Sequence, residues 1–238
     1  MNVGMYWDRM VRIAKRIPLF ISRLLKSRFG LDPLVTLDRH KTYEDYVAKQ
    51  ISKTTDPKRL ERWTNEEWQS KVIGFQEVFS QLPIDLGGKR AICLGSRTGQ
   101  EVVALQNLGA KAIGIDLVAF PPLTLKGDVH SLEFQHDSFD FAFSNIFDHV
   151  LYPERFAAEI SRVLVDGGHL ALRLQLGFKG DEFSETFVSS LGPVLELFSD
   201  MDLISSKRLE TQFDGMTSQL LFRKSEISPS VALSSELA

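Results

Sequence analysis

The sequence predicts an α/β fold: a Rossmann-like, doubly wound, mostly parallel sheet with an antiparallel closing strand and an N-terminal helical extension. Three observations carry this. From Lys89 onward, short apolar runs alternate with helical patterns, which is the signature of strands joined by right-handed crossovers. A glycine turn, Gly95-Ser96-Arg97-Thr98-Gly99, follows the first apolar run and opens a helix. The last two strand-like runs are joined around Asp214-Gly215, a connection too short for a crossover, so that pair is expected to be antiparallel.

The elements are justified in chain order. Residues 1–30 carry seven basic residues (Arg9, Arg12, Lys15, Arg16, Arg23, Lys26 and Arg28) against Asp8. Val3, Trp7, Met10, Ile13, Ile17, Phe20, Ile21 and Leu24 recur at helical spacing, with a break near Pro18. Three readings stay open for this segment: a helix docked on the rest of the chain, a helix lying on a membrane surface, and an organellar targeting peptide. Its longest apolar stretch, residues 17–25, is interrupted by Ser22 and Arg23 and is too short to span a bilayer.

Residues 31–85 form a helical cap. Tyr43 to Ile51 is one helix; Asp56-Pro57 supplies an N-cap and a proline at the first helical position of another. Thr64-Asn65-Glu66-Glu67 reads as a capping box that starts a helix through Trp68, Phe75 and Phe79. The aromatics Tyr43, Tyr46, Trp63, Trp68 and Phe75 are expected mainly to pack these helices together.

Residues 86–224 form the sheet domain. Strands are expected at 91–94, 112–115 (ending on Asp116), 123–125, 140–144, 169–176, 203–209 and 218–223. The third is short and near the sheet edge, because Asp116 to Asp128 leaves little room for a crossover helix. Helices are expected after Gly99, over 153–165 with Asp166-Gly167-Gly168 as a glycine stop, and over 182–198, interrupted at Gly192-Pro193. Residues 225–238, rich in serine and small residues, read as a disordered tail.

Composition narrows the function classes. A net charge of −3 gives no general case for nucleic-acid binding. Cys93 is the sole cysteine, so no internal disulfide forms, which fits a reducing compartment. The five histidines show no zinc-ligand spacing, and no metal is expected. Cytoplasmic placement is expected, with membrane association or organellar import left open by the basic N-terminus.

The chemistry gathers at the strand ends. A glycine turn running into a helix N-terminus receives a carboxylate or phosphate, and an acid at the end of the next strand takes ribose hydroxyls. The middle glycine of a dinucleotide fingerprint is missing, because Arg97 stands there. Gly95 and Gly99 are followed by Asp116-Leu117, then by Gly127-Asp128-Val129-His130, Asp140 to Asn145, Asp148-His149-Val150 with Pro153, Arg162-Val163-Leu164, and Gly167-Gly168.

This ordered series resembles the class I S-adenosylmethionine-dependent methyltransferases, in particular the small type 11 branch, over roughly residues 89–223. The form Leu94-Gly95-Ser96-Arg97-Thr98-Gly99-Gln100-Glu101-Val102 also looks like that of uncharacterised plant members. The resemblance implies S-adenosyl-L-methionine as cofactor. It places Gly95, Ser96, Arg97, Thr98 and Gly99 by the methionine end, Asp116 on the ribose, Leu117 and Val129 beside the adenine, Asp128 on its amino group, and Asn145 near the methyl donor. It also implies methyl transfer to an acceptor, a small molecule being expected. Asp148 and His149 are the candidates for a catalytic base, needed where the acceptor must lose a proton. His130 is expected to be a loop residue. Two departures stand out: Cys93 replaces an acid common two positions before the first glycine, and Arg97 replaces a glycine. They motivate the alternative of a non-catalytic, methyltransferase-like binding module. The missing Tyr-x-x-x-Lys pair argues against a nicotinamide-dependent oxidoreductase. Oligomeric state is not legible in the sequence.

Overall fold

A computed structural model describes residues 34–37, 39–178, 180–210 and 213–226. The expectations for residues 1–30 and for the tail beyond 226 lie outside the described residues.

A seven-stranded sheet organises the chain, in the spatial order β4 (Thr124–Lys126), β3 (Lys111–Asp116), β2 (Arg90–Leu94), β5 (Phe139–Ser144), β6 (Leu164–Leu174), β9 (Ser218–Lys224) and β8 (Met201–Arg208). The first five run parallel, while β9 is antiparallel to both β6 and β8. The short edge strand and the antiparallel closing pair are as expected. The order in which strands are added reverses between β2 and β5: β3 and β4 lie to one side of β2, and β5 and β6 to the other. Ligands of such sheets bind outside the carboxyl ends of the strands at that switch point.

Period-two alternation decides which face each strand residue serves. Ala91 and Cys93, with Phe141 and Phe143, face one core. There they meet Phe75 and Phe79 of α3 (Trp68–Ser80) and Val102 and Leu105 of α4 (Gln100–Asn107). Ile92, Leu94 and Ala142 face the other core, against Phe156 and Ile160 of α5 (Pro153–Val163) and Val194 of α6 (Gly192–Leu197). Both faces of the sheet are thus covered by helices, as a parallel sheet requires.

Before the sheet come β1 (Val35–Thr36), α1 (Tyr43–Thr54), α2 (Pro57–Glu61) and one π-helical turn, Arg62–Glu66. Asp56 caps α2 through Arg59 N–H, with Pro57 in its first turn. The capping box expected at Thr64 is absent. The Thr64 hydroxyl instead donates back to the Leu60 carbonyl (2.8 Å), because the chain stays helical through the π turn. A full capping box stands at Thr42 and Asp45, at the start of α1.

Two helix boundaries also differ. Asp166-Gly167-Gly168 does not stop α5: Leu164 is already extended, and β6 starts there with a bulge that takes up the extra residues against β5. Residues 182–191 are not helical. Thr186–Phe187 form β7, antiparallel to β1, and Glu185 N–H donates to the Asp148 carbonyl (2.6 Å). Pairing with distant backbone outcompetes local helix propensity here. Gly192-Pro193 therefore opens α6, proline being suited to a first turn.

Candidate active site

The glycine turn follows from three left-handed residues, Gly95 (φ +75°), Arg97 (φ +47°) and Gly99 (φ +95°). A Cβ on Gly95 would lie 2.4 Å from the Ile146 side chain, so the turn and the loop after β5 approach too closely for any other residue. Gly95 N–H donates to the Ile115 carbonyl (2.8 Å). The buried Ser96 hydroxyl meets Thr124 Oγ1 (3.1 Å), tying the turn to β4. Thr98 donates to Gln100 Oε1 (2.9 Å), and Gln100 donates onward to the Trp63 carbonyl (2.8 Å).

A cavity of about 240 Å3 opens beside this turn, between the strand ends and α1. Of the residues expected to hold the cofactor, Gly95, Arg97, Asp116, Leu117, Asp128, Val129 and Asn145 line it. Ser96, Thr98 and Gly99 stand behind the wall and shape the turn. Arg97 stacks its guanidinium over the Trp63 ring (4.8 Å), so its side chain serves the cap as well as the cavity. A second cavity of about 190 Å3 adjoins this one, sharing Arg97 and Asp214.

Asp116 is buried, and burial raises its carboxyl above the usual range. Arg97 N–H (3.0 Å) and Val118 N–H (3.2 Å) each donate to one oxygen, fixing the carboxylate's orientation. Two acceptor positions remain for a vicinal diol. Asp128 is more heavily engaged. It accepts from Tyr43 Oη (2.5 Å), His130 N–H (2.8 Å) and His130 Nδ1 (2.9 Å), which leaves one acceptor position. Against a burial cost, these bonds hold its carboxyl below the usual range.

His130 lies in the loop after β4, as expected, but it is held there by partners. It is buried, and its Nε2 accepts from Tyr152 N–H (3.2 Å), which places the proton of the neutral ring on Nδ1, facing Asp128. Tyr43 stacks on Tyr152, with centroids 5.6 Å apart. Tyr46, expected to pack helices, lines the cavity and donates to the His149 carbonyl (3.0 Å). Burial pushes both tyrosine hydroxyls well up, so they act as donors.

Cys93 is buried in β2, where burial pushes its thiol up, so it is no nucleophile. A carboxylate has nonetheless reached this neighbourhood. Glu101, in the first turn of α4, is buried close enough to raise the Cys93 thiol further, and its Oε2 has no hydrogen-bond partner among the described residues. Burial pushes its carboxyl up to about 7.

The far wall of the cavity is built from Gln50 and Lys53 of α1 together with Asp148, His149, Asp181 and Phe178. His149 donates from Nδ1 to the Phe183 carbonyl (2.9 Å), and its Nε2 accepts from Lys53 Nζ (2.6 Å). Asp148 Oδ2 lies 3.7 Å from the same Nε2. Burial lowers the His149 pKa. Gln50 donates to the Phe183 carbonyl (2.8 Å), and Lys49, Lys53 and Arg59 surround the Phe183 ring. Lys53, 96 residues from His149 in sequence, is the site residue that sequence reasoning misses. Its only signal there is a place in the last turn of α1.

Above the cavity, the loop joining β8 to β9 is pinned by a buried bidentate ion pair. Arg173 Nε and Nη2 donate to Asp214 Oδ2 and Oδ1 (2.7 and 2.9 Å).

The sheet order and the turn at the switch point are those of the class I S-adenosylmethionine-dependent methyltransferase fold. More particularly, residues 92–172 match the type 11 family model described as "Methyltransferase domain". Among solved structures, the chain is similar to Burkholderia thailandensis 1,6-didemethyltoxoflavin-N1-methyltransferase, solved with 1,6-didemethyltoxoflavin and S-adenosylhomocysteine. The two are 16% identical, with 81% of this chain and 95% of that one covered and a TM-score of 0.59. It is also similar to the Haloferax volcanii complex of the Trm112 methyltransferase activator with a methyltransferase (16% identity, 76% and 98% covered, TM-score 0.57). The [4+2]-cyclase SpnF matches as well (17%, 65% and 80%, TM-score 0.53). No curated protein sequence matches the chain. Among the described residues, no helix is long and apolar enough to cross a membrane.

Proposed function

We propose that the chain is an enzyme that binds S-adenosyl-L-methionine in this cavity and transfers its methyl group to a small-molecule acceptor. The observation that carries the reading is Asp116: a buried carboxylate, oriented by two backbone donors, with two acceptor positions left toward the cavity. Gly95 and Arg97 would meet the methionine end, with Ser96, Thr98 and Gly99 shaping their turn. Leu117 and Val129 would flank the adenine, the last acceptor position of Asp128 would take its amino group, and Asn145 would stand near the methyl. When bound, the cofactor supplies a methyl already activated by a sulfonium charge. The protein's own work is then to align, to exclude water and to manage one proton. Asp148 and His149 on the opposite wall suit that last task. The bound small molecule of the Burkholderia neighbour supports an acceptor of that size.

Saturable heat on calorimetric titration with S-adenosylmethionine, and passage of its labelled methyl into the small-molecule fraction of an extract, test the reading. An absence of heat would sink it. Label passing into protein would overturn the acceptor class.

A second reading, a binding module that keeps the fold without turnover, is favoured by Cys93 standing where the resemblance expects an acid. The cyclase among the structural neighbours shows that the fold hosts other chemistry. Saturable binding with no methyl passing to any fraction would select it. For residues 1–30 we propose contact with a membrane surface; equal pelleting on liposomes with and without them would count against it.

A further inference from the structure

Lys53 is placed unusually for a lysine. It reaches from α1 into the cavity wall, and among the described residues no carboxylate lies within ion-pair distance of its Nζ. Its close partner is another base, His149 Nε2, at 2.6 Å. The Phe183 carbonyl occupies the Nδ1–H of that ring, so Nε2 of the neutral imidazole carries no proton and points at Lys53. A cation has been put between an open cavity and a proton acceptor.

We propose that Lys53 takes the acceptor's proton while passing one of its own to His149, so that the acceptor is a small molecule with an ionisable O–H or N–H. This rests on the methyltransferase reading above and deepens it. One proton leaves the acceptor's O–H or N–H for Lys53 Nζ, and one leaves Nζ for His149 Nε2. The acceptor gains a negative charge and His149 a positive one, while Lys53 is unchanged. The resulting imidazolium faces the Phe183 carbonyl and the Asp148 carboxylate. Lys53 is surrounded by Arg97, Arg59, Asp148 and Asp181; burial, with the Arg97 charge, pulls its ammonium down to about 8, so it gives up a proton readily. Burial keeps His149 neutral until an anion arrives beside Lys53 and offsets that positive charge. An acceptor that is nucleophilic without losing a proton, such as a thioether, makes no use of this pair.

The probe is 4-nitrophenol, whose anion absorbs in the visible, added to the full-length protein at pH 6 with S-adenosylhomocysteine present. The wild-type protein is expected to bind it as the phenolate. Calorimetry in two buffers of different ionisation heat should show about zero protons released, because the pair keeps the proton. Lys53→Arg keeps the charge but cannot relay, and should release about one proton per probe bound. Lys53→Met should weaken phenolate binding at least about tenfold, the equivalent of one pKa unit. S-adenosylhomocysteine binding verifies that each variant is folded. No phenolate signal from wild-type protein that binds S-adenosylhomocysteine, or equal proton release by wild type and Lys53→Arg, overturns the assignment. Phenolate formation without S-adenosylhomocysteine binding overturns the cofactor reading and leaves Lys53 standing.

Discussion

The two walls of the cavity are built on different principles. The wall at the strand ends consists of turn backbone and short acids, each placed by the strand it terminates: Gly95 by β2, Asp116 by β3, Asn145 by β5. The opposite wall consists of long side chains from segments far apart in sequence, with Gln50 and Lys53 of α1 meeting Phe183 and His149. The first wall is fixed by the sheet, so changes in it should alter ligand affinity. The second depends on how α1 packs against the loops that carry His149 and Phe183, so changes there should separate acceptor chemistry from cofactor affinity.

The largest effect is expected at Asp214, which lies between β8 and β9 and lines the cavity. Arg173 and Asp214 are both almost fully buried and bonded in a fork. Asp214→Ala leaves the guanidinium buried without its carboxylate, which costs about 3–5 kcal/mol. Urea denaturation should show that loss. An Arg173→Met/Asp214→Leu double variant should recover most of it, because replacing a buried pair by apolar groups of similar volume is often neutral. Loss of the same size in the double variant would mean that the pair is needed for its geometry.

Glu101 tests the helix that the glycine turn opens, behind the strand-end wall. Its carboxyl, raised by burial to about 7 from an ordinary 4.5, stays neutral in the folded chain after the unfolded chain has ionised. The sign follows from linkage: folding gains full benefit below pH 4.5 and loses it as the pH rises through 7, by about 3 kcal/mol in all. Glu101→Gln should therefore flatten the pH dependence of stability between pH 4.5 and 7. It should also equal or exceed the wild type at pH 8, as read from thermal melts across that range. A variant less stable than wild type at pH 8 would show that the ionised carboxylate has a partner there.

Asp116→Asn separates the walls directly. It removes the charge while keeping the size, and should weaken S-adenosylhomocysteine binding about ten- to a hundredfold, the range for hydrogen bonds to a charged group. Phenolate binding at Lys53 should change by less than that, since Asp116 acts on Lys53 through charge alone, with burial and Arg97 the larger influences on that ammonium. Equal losses of both would mean that the cavity acts as one site.

What the sequence discloses follows the same division. Period-two alternation, the glycine turn and the terminal acids are local signals, and from them the sheet, its short edge strand and its antiparallel close could be read. Asp116 and Asp128 were legible because each ends or follows a strand. The non-local contacts were not. The stretch 182–191 has helical periodicity, yet its backbone bonds to β1 and Asp148. Lys53 looks like any basic residue in a helix's last turn until the fold brings His149 to it. The engagement of Asp128 by Tyr43, 85 residues away, was invisible for the same reason.

The smallest effect concerns how α1 holds its wall in place. Thr42 accepts from Asp45 N–H, and Asp45 accepts from Thr42 N–H, both at 3.2 Å. This reciprocal pair sets the first turn of the helix that carries Tyr46, Gln50 and Lys53. Thr42→Ala removes one of the two bonds and should cost about 1 kcal/mol. That loss should fall on α1 before it reaches the sheet, because β2, β3 and β5 bury their side chains in cores of their own. Amide exchange in α1 should therefore speed up about fivefold while that of the central strands stays as it was. Uniform acceleration across both regions would show that cap and sheet unfold as one unit, and the two walls would then be two faces of a single cooperative structure.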